Sequence, residues 1–202
     1  QEISVTTDPA SAEVETGGVR FNIIPKEGGN TFRGYFFSDF TNSRLQADNV
    51  TPELRARGLT AASGIEKIWD INPAFGGPIL QDRLWFYTAH RWWGSGKHVA
   101  GLYYNKDPKA WTYTPDLNRQ AVDDQDQRSH NVRLTWQVSP KNKFTAFTDD
   151  QWQCWCHFGI SAGTSSPEAV SLYRAEPAFI AQGRWSSPVT NRLLLEAGTS
   201  YN

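Results

Sequence analysis

Residues 128–138 read Arg-Ser-His-Asn-Val-Arg-Leu-Thr-Trp-Gln-Val. Val132, Leu134, Trp136 and Val138 share one parity; Asn131, Arg133, Thr135 and Gln137 share the other. Side chains of a strand alternate between two faces, so this segment predicts a strand with one apolar and one wet face. A soluble sandwich buries such an apolar face against a second sheet, whereas a membrane barrel turns it to lipid. The alternation by itself serves both.

Moving outward, Ser139-Pro140-Lys141-Asn142 reads as a tight turn, and 143–152 resumes the alternation, with Phe144 and Ala146 opposed to Lys143, Thr145 and Asp149. The run 68–79 carries Trp69, Ile71, Pro73, Phe75 and Ile79 at one parity, and Pro73 predicts a bulge or break because it lacks a ladder donor. After the turn Pro78 to Asp82, residues 83–93 alternate again, with Arg91 on the inward parity. A last hairpin pairs 178–186 with 192–201 through the turn Ser186 to Asn191. With Thr31–Phe40, these runs make about seven strands.

The connections are unequal. Three are tight, and three polar stretches (42–66, 94–127 and 153–176) are about 24 to 34 residues long. Loops beyond about 12–15 residues are uncommon in compact soluble domains, but outer-membrane barrels pair short turns on one rim with long loops on the other. The expected fold is therefore all-β, a partial antiparallel transmembrane β-barrel of about seven strands. An odd strand number, two open edges and the absence of any Met lead us to expect a piece of a longer protein.

Composition agrees. The 202 residues carry a net charge of −1, so nothing favours nucleic acid as a partner. Aromatics are 13%, including nine Trp, enough for interfacial girdles. Mean hydropathy is negative, yet a barrel strand crosses with about 9–11 residues of which only alternate ones face lipid.

Candidate chemistry is sparse. Cys154-Trp155-Cys156-His157 predicts a disulfide or two free thiols, with a weaker reading as a metal site because Cys154, Cys156 and His157 supply three ligands at most. Asp149 and Asp150 point to opposite faces of a strand and cannot pair as a catalytic dyad; Asp123, Asp124 and Asp126 read as a solvated loop. His90, His98 and His130 form no metalloprotease or triad signature. No catalytic residue and no cofactor site is expected, and the chain reads as a non-enzyme. Trp93, Tyr103, Tyr104, Trp111 and Tyr113, near or within the longest loop, are the candidates for ligand contact. Asn131, Arg133, Gln137, Arg184 and Glu196 are the candidates for lining a wet lumen.

The first thirty residues carry a further signal. Ala10-Ser11-Ala12 precedes Gly17-Gly18-Val19, then Asn22-Ile23-Ile24, then Lys26-Glu27-Gly28-Gly29-Asn30 and Phe32-Arg33-Gly34. This order resembles the end of the plug and the entry into the first barrel strand of TonB-dependent outer-membrane receptors, with Val14-Glu15 and Pro25 departing from the usual residues. The stretches 68–78 (Ile-Trp-Asp-Ile-Asn-Pro-Ala-Phe-Gly-Gly-Pro) and 82–86 (Asp-Arg-Leu-Trp-Phe) resemble the Oar-like subgroup, in which a carboxypeptidase-regulatory-like domain precedes the plug. The resemblance implies a plug end at 1–30 and barrel strands over 31–202. It implies a transporter in the bacterial outer membrane that takes up a nutrient ligand. Its partners would be lipid and the TonB energy-transducing complex, the latter through a segment outside this sequence. A secreted, aromatic-rich β-sandwich that binds carbohydrate is the alternative, and solubility without detergent would favour it.

Overall fold

The computed structural model describes residues 2–6, 20–58 and 62–202. The motifs Ala10-Ser11-Ala12 and Gly17-Gly18-Val19 lie outside the described residues. Two strands, β1 (Glu2–Thr6) and β2 (Arg20–Ile24), form a small antiparallel pair. Seven more form one sheet in chain order: β3 (Arg33–Asn42), β4 (Ile65–Leu80), β5 (Leu84–Asn105), β6 (Pro115–Ser139), β7 (Asn142–Phe158), β8 (Ser171–Thr190) and β9 (Leu193–Tyr201). Every neighbour pair is antiparallel, so the sheet is an up-and-down meander open at β3 and β9. Among the described residues, helix is confined to one short turn of α-helix, α1 (Pro52–Ala56), and two 3-10 turns. No described helix is long and apolar enough to cross a membrane.

The seven strands, their order and the three tight turns are as the alternation predicts. Two expectations are corrected. The stretches 94–127 and 153–176 are not loops: β5 and β6 run 22 and 25 residues, β7 and β8 run 17 and 20, and the connections shrink to 106–114 and 159–170. Both faces of these extensions are polar, so the period-two signal fades while backbone pairing continues. Within the seven-stranded sheet, the connection 43–64 between β3 and β4 stays long. Pro73 causes no bulge either. The β4–β5 register is the same at Ile71↔Trp92 and Ala74↔Ala89, and Pro73 stays opposite Phe36 of β3. The proline forgoes one ladder hydrogen bond without moving the register.

Register sorts the side chains into rungs that cross the sheet. On one face, starting at the tight turns, the rungs run Leu84–Trp136–Phe144–Trp185–Ala197, then Phe86–Leu134–Ala146–Gly183, then Phe75–Thr88–Val132–Thr148–Ala181. Above them come His90–His130–Asp150–Phe179, then Ile71–Trp92–Arg128–Trp152. Past that rung the same face turns polar, with Asp126, then Asp124. We call this the dry face.

Nothing among the described residues covers it. Phe36, Phe40, Phe75, Leu134, Trp136, Phe144 and Leu195 are each at least 40% exposed. Total accessible surface is 14589 Å², against about 9,600 Å² for a compact monomer of this mass. A sandwich needs a second sheet about 10 Å away, and such a layer would cover these exposed rings. The one small apolar core sits far above the dry rungs, where Leu102, Ala121 and Ile160 pack with Val99 and Val170 beneath the 159–170 connection.

Candidate functional site: the wet face

The opposite face carries the polar parity. Asn131, Arg133 and Gln137 point to it from β6; Thr135↔Thr145↔Arg184 and Gln137↔Lys143↔Ser186↔Glu196 place Arg184 and Glu196 on it too. All five sequence-predicted lumen residues therefore share one surface. Arg91 joins them and holds Asp70 in a forked ion pair, with Nη2 2.6 Å and Nε 2.9 Å from Oδ2. The fork matches a planar guanidinium to a carboxylate and fixes both side chains. Arg184 pairs with Glu196 at 2.5 Å, and Ser129 donates to Asp149 at 3.1 Å.

Near the tight turns this face is occupied by the chain itself. Segment 25–30 lies across it. Arg133 Nη1 donates to the Pro25 carbonyl at 2.6 Å, and its Nη2 reaches Glu27 at 3.1 Å. Lys143 stands 3.5 Å from the same carboxylate. Asn30 closes the segment on the β4–β5 turn: its side-chain oxygen accepts from the Asp82 N–H (2.9 Å) and the Trp85 indole (2.6 Å). Gly28 is required by space. A Cβ there would sit 2.2 Å from the Phe86 carbonyl oxygen, a backbone atom that cannot step aside. The chain then rounds the rim, and Phe32 stacks on Phe75 of the dry face, ring centres 5.7 Å apart, over the bare Gly77.

Higher up, the same face is open and holds an aromatic group. One rung reads Ser95–Gln125–Trp155–Tyr173 across four strands. Trp155 donates its indole N–H to Gln125 Oε1 at 2.7 Å, and Gln125 passes an amide hydrogen to Ser95 Oγ at 3.2 Å. Trp155, Phe158 and Tyr173 lie 5.1–5.7 Å apart, ring centre to ring centre, at interplanar angles of 29–39°. The cleft beside them, roughly 280 Å³, is lined by Ser95, Lys97, Asp123, Asp124, Gln125, Trp155 and Phe158.

On the other side of the extensions, Asp124 meets His157 Nδ1 at 2.6 Å, and the Tyr104 hydroxyl meets His157 Nε2 at 3.1 Å. Arg119 lies over the Tyr104 ring, 4.7 Å from its centre. Burial pushes the Tyr104 hydroxyl up from its ordinary value, so it stays a neutral partner in this chain. Glu168 accepts the Asn105 N–H at 2.7 Å and ties the 159–170 connection to β5. Its burial disfavours the charge, but hydrogen bonds from the Asn105 N–H, its own N–H and Ser166, with Arg119 nearby, outweigh that and hold its carboxyl below the usual range.

The structure joins Cys154 to Cys156 as a disulfide. Both nitrogens of His157 are engaged, so Cys154, Cys156 and His157 do not converge as metal ligands, and no such cluster occurs among the described residues. The five aromatic contact candidates are scattered. Trp93, Tyr103 and Tyr104 belong to β5, which corrects their placement in a loop. Trp93 packs under Arg91, Tyr104 is taken up by His157, and Tyr113 folds back to the Tyr103 carbonyl at 3.1 Å. Trp111 stands free in the 106–114 connection. Sequence reading missed the Trp155–Phe158–Tyr173 group. The signal was there in Gln151, Gln153 and Trp155, which continue the wet parity of β7 past the point where the dry parity ceases to be apolar.

Comparison with known proteins gives one match over part of the chain. Over 93 residues the chain is 31% identical to the "TonB-dependent transporter Oar" of Myxococcus xanthus, a stretch that is 44% of this chain and 8% of that protein's length. The similarity links the chain to TonB-dependent transporters over less than half its length. No family model matches the chain. No solved structure matches it.

Proposed function

We propose that this chain forms part of the wall of an outer-membrane β-barrel of the TonB-dependent receptor type, Oar-like in character. In this reading the dry face meets lipid, the wet face lines the lumen, and the long strand extensions rise above the outer leaflet. Segment 1–30 is the end of a plug, and the barrel wall begins at 31. The function is capture of a nutrient at the cell surface and its passage inward, powered through the TonB complex, with no catalytic step.

The observation that carries the reading is the height of the apolar band. From the Trp136–Phe144–Trp185 rung to the Trp92–Trp152 rung is eight residues, roughly 27 Å of strand. At a tilt of about 40° that is about 20 Å along the membrane normal, close to the ~25 Å band of outer-membrane barrels. Aromatic rows mark both edges, as an interface favours. At the upper edge Arg128 lies 4.9 Å from the Trp152 ring centre, with its charge where headgroups begin. His90, His130 and Asp150 lie one rung inside that edge. Docking of segment 25–30 on the wet face supports the plug reading, because a plug must enter the wall from the lumen side.

The test is fractionation of the intact protein in cells. It is expected in the outer membrane, resistant to alkaline extraction and shifting on unheated gels as closed barrels do. A Leu134→Arg variant should lose both properties. An intact protein that is released by alkali and runs identically heated or unheated contradicts the reading and favours a soluble β protein.

A further inference from the structure

The aromatic rung above the band leaves its ring faces open, and the membrane reading deepens its meaning. Phe158 and Tyr173 are 52% and 46% exposed, on the wet face, above the apolar band. The rung lies more than one full rung above the Trp92–Trp152 edge. Three rings at shallow mutual angles make a shelf, and leaving apolar area open there costs about 25 cal/mol per Å² that a ligand can recover.

The shelf is also held in place. The indole of Trp155 is fixed by Gln125, and Gln125 by Ser95, so the ring does not have to be ordered when a ligand arrives. Next to it, Lys97 and Asp123 face each other across β5 and β6, and neither makes an ion pair among the described residues. Lys97 and Asp123 balance in charge, so the cleft favours neither an anion nor a cation, and the carboxylate, the ammonium and the Ser95 hydroxyl together offer acceptors and donors to a ligand that has both. Apolar ring faces, many hydroxyls and no negative charge describe a neutral sugar. The cleft, roughly 280 Å³, lies below the usual 300–1,000 Å³ of small-molecule pockets, which suits one residue of a longer chain.

We infer that Trp155, Tyr173 and Phe158, with Gln125, Lys97 and Asp123, form a subsite for a neutral oligosaccharide in the mouth of the barrel. The inference rests on the transporter reading for its location, and the experiment separates the two. The intact protein in detergent micelles is applied to an array of neutral and uronate-bearing glycans and of short peptides, and positive probes are titrated by tryptophan fluorescence. Neutral glycans are expected to bind, with affinity at least ten-fold weaker for Trp155→Ala/Tyr173→Ala and several-fold weaker for Gln125→Ala, which keeps the ring but releases it. Circular dichroism matching the parent checks that each variant folds.

Absence of any neutral glycan binding overturns the inference. So does binding only to anionic glycans or to peptides, or binding equal in parent and variants. Neutral-glycan binding through Trp155 by a protein that fractionates as soluble keeps the subsite and removes the transporter. An outer-membrane barrel with no neutral-glycan binding does the opposite.

Discussion

The lower and upper halves of this sheet share strands, pairing and register, yet differ in what their faces meet. Below the Trp92–Trp152 rung, one face is apolar and the other polar; above it both are polar, and the only dry matter is a small knot around Leu102, Ala121 and Ile160 and the open aromatic shelf. A strand is therefore not recognised by its backbone but by the contrast between its sides. In the proposed reading the lower half has that contrast because one side faces lipid and the other water.

The largest break in the comparison should come from a charge on the dry side of the lower half. Val132→Arg, midway between the aromatic rows, is expected to cost ~2–4 kcal/mol in a denaturant titration of the protein refolded in lipid vesicles. Asp126→Arg, at the same parity in the upper half, should stay within ~0.5 kcal/mol. Equal costs would erase the distinction between the halves.

Next is Gly28→Ala, which drives a methyl into the Phe86 carbonyl and should cost ~1–3 kcal/mol of docking of segment 25–30. Hydrogen exchange at the Asp82 N–H, held by Asn30, reports it; unchanged protection would mean the segment does not lie across the wet face. Arg133→Ala should loosen the same segment by about 1 kcal/mol while leaving assembly of the wall intact, since the pair with Glu27 is partly solvated. Arg128→Ala should cost about 0.5–1 kcal/mol through lost contact with Trp152, read in the same vesicle titration.

The smallest effect belongs to the upper half and to pH. Glu168 has a folded pKa below its unfolded one, so its contribution is complete above the unfolded value near 4.5 and is lost as pH falls through the depressed folded value. Exchange at the Asn105 N–H should rise, after correction for intrinsic rates, only in that acidic window. Protection unchanged through that window would mean that Glu168 does not hold the connection.

The same contrast explains what was legible in the sequence. Val132, Leu134 and Trp136 against Arg133, Thr135 and Gln137 define a strand, its faces and its turn, and neighbouring runs do the same, so strand number, order and the five wet-face residues could be read directly. In 115–127 no parity is apolar, and a 25-residue strand was read as half loop. Tyr103 and Tyr104 lie on β5 for the same reason, and the shelf is not legible in the sequence because it depends on register that brings Trp155 of β7 beside Tyr173 of β8. Pro73 shows a further limit, since a proline's effect depends on which neighbouring strand its missing N–H would have bonded, and composition does not say.

What touches the dry rungs decides between a membrane wall and a soluble sheet. Spin labels placed singly at 131, 132 and 126 of the intact protein in lipid vesicles, with power saturation by oxygen and by a water-soluble nickel chelate, address this directly. Position 132 should be open to oxygen and closed to nickel, while 131 and 126 should be open to nickel. A label at 132 that neither reagent reaches, or that nickel reaches as readily as it does 126, would contradict a wall whose apolar side faces lipid.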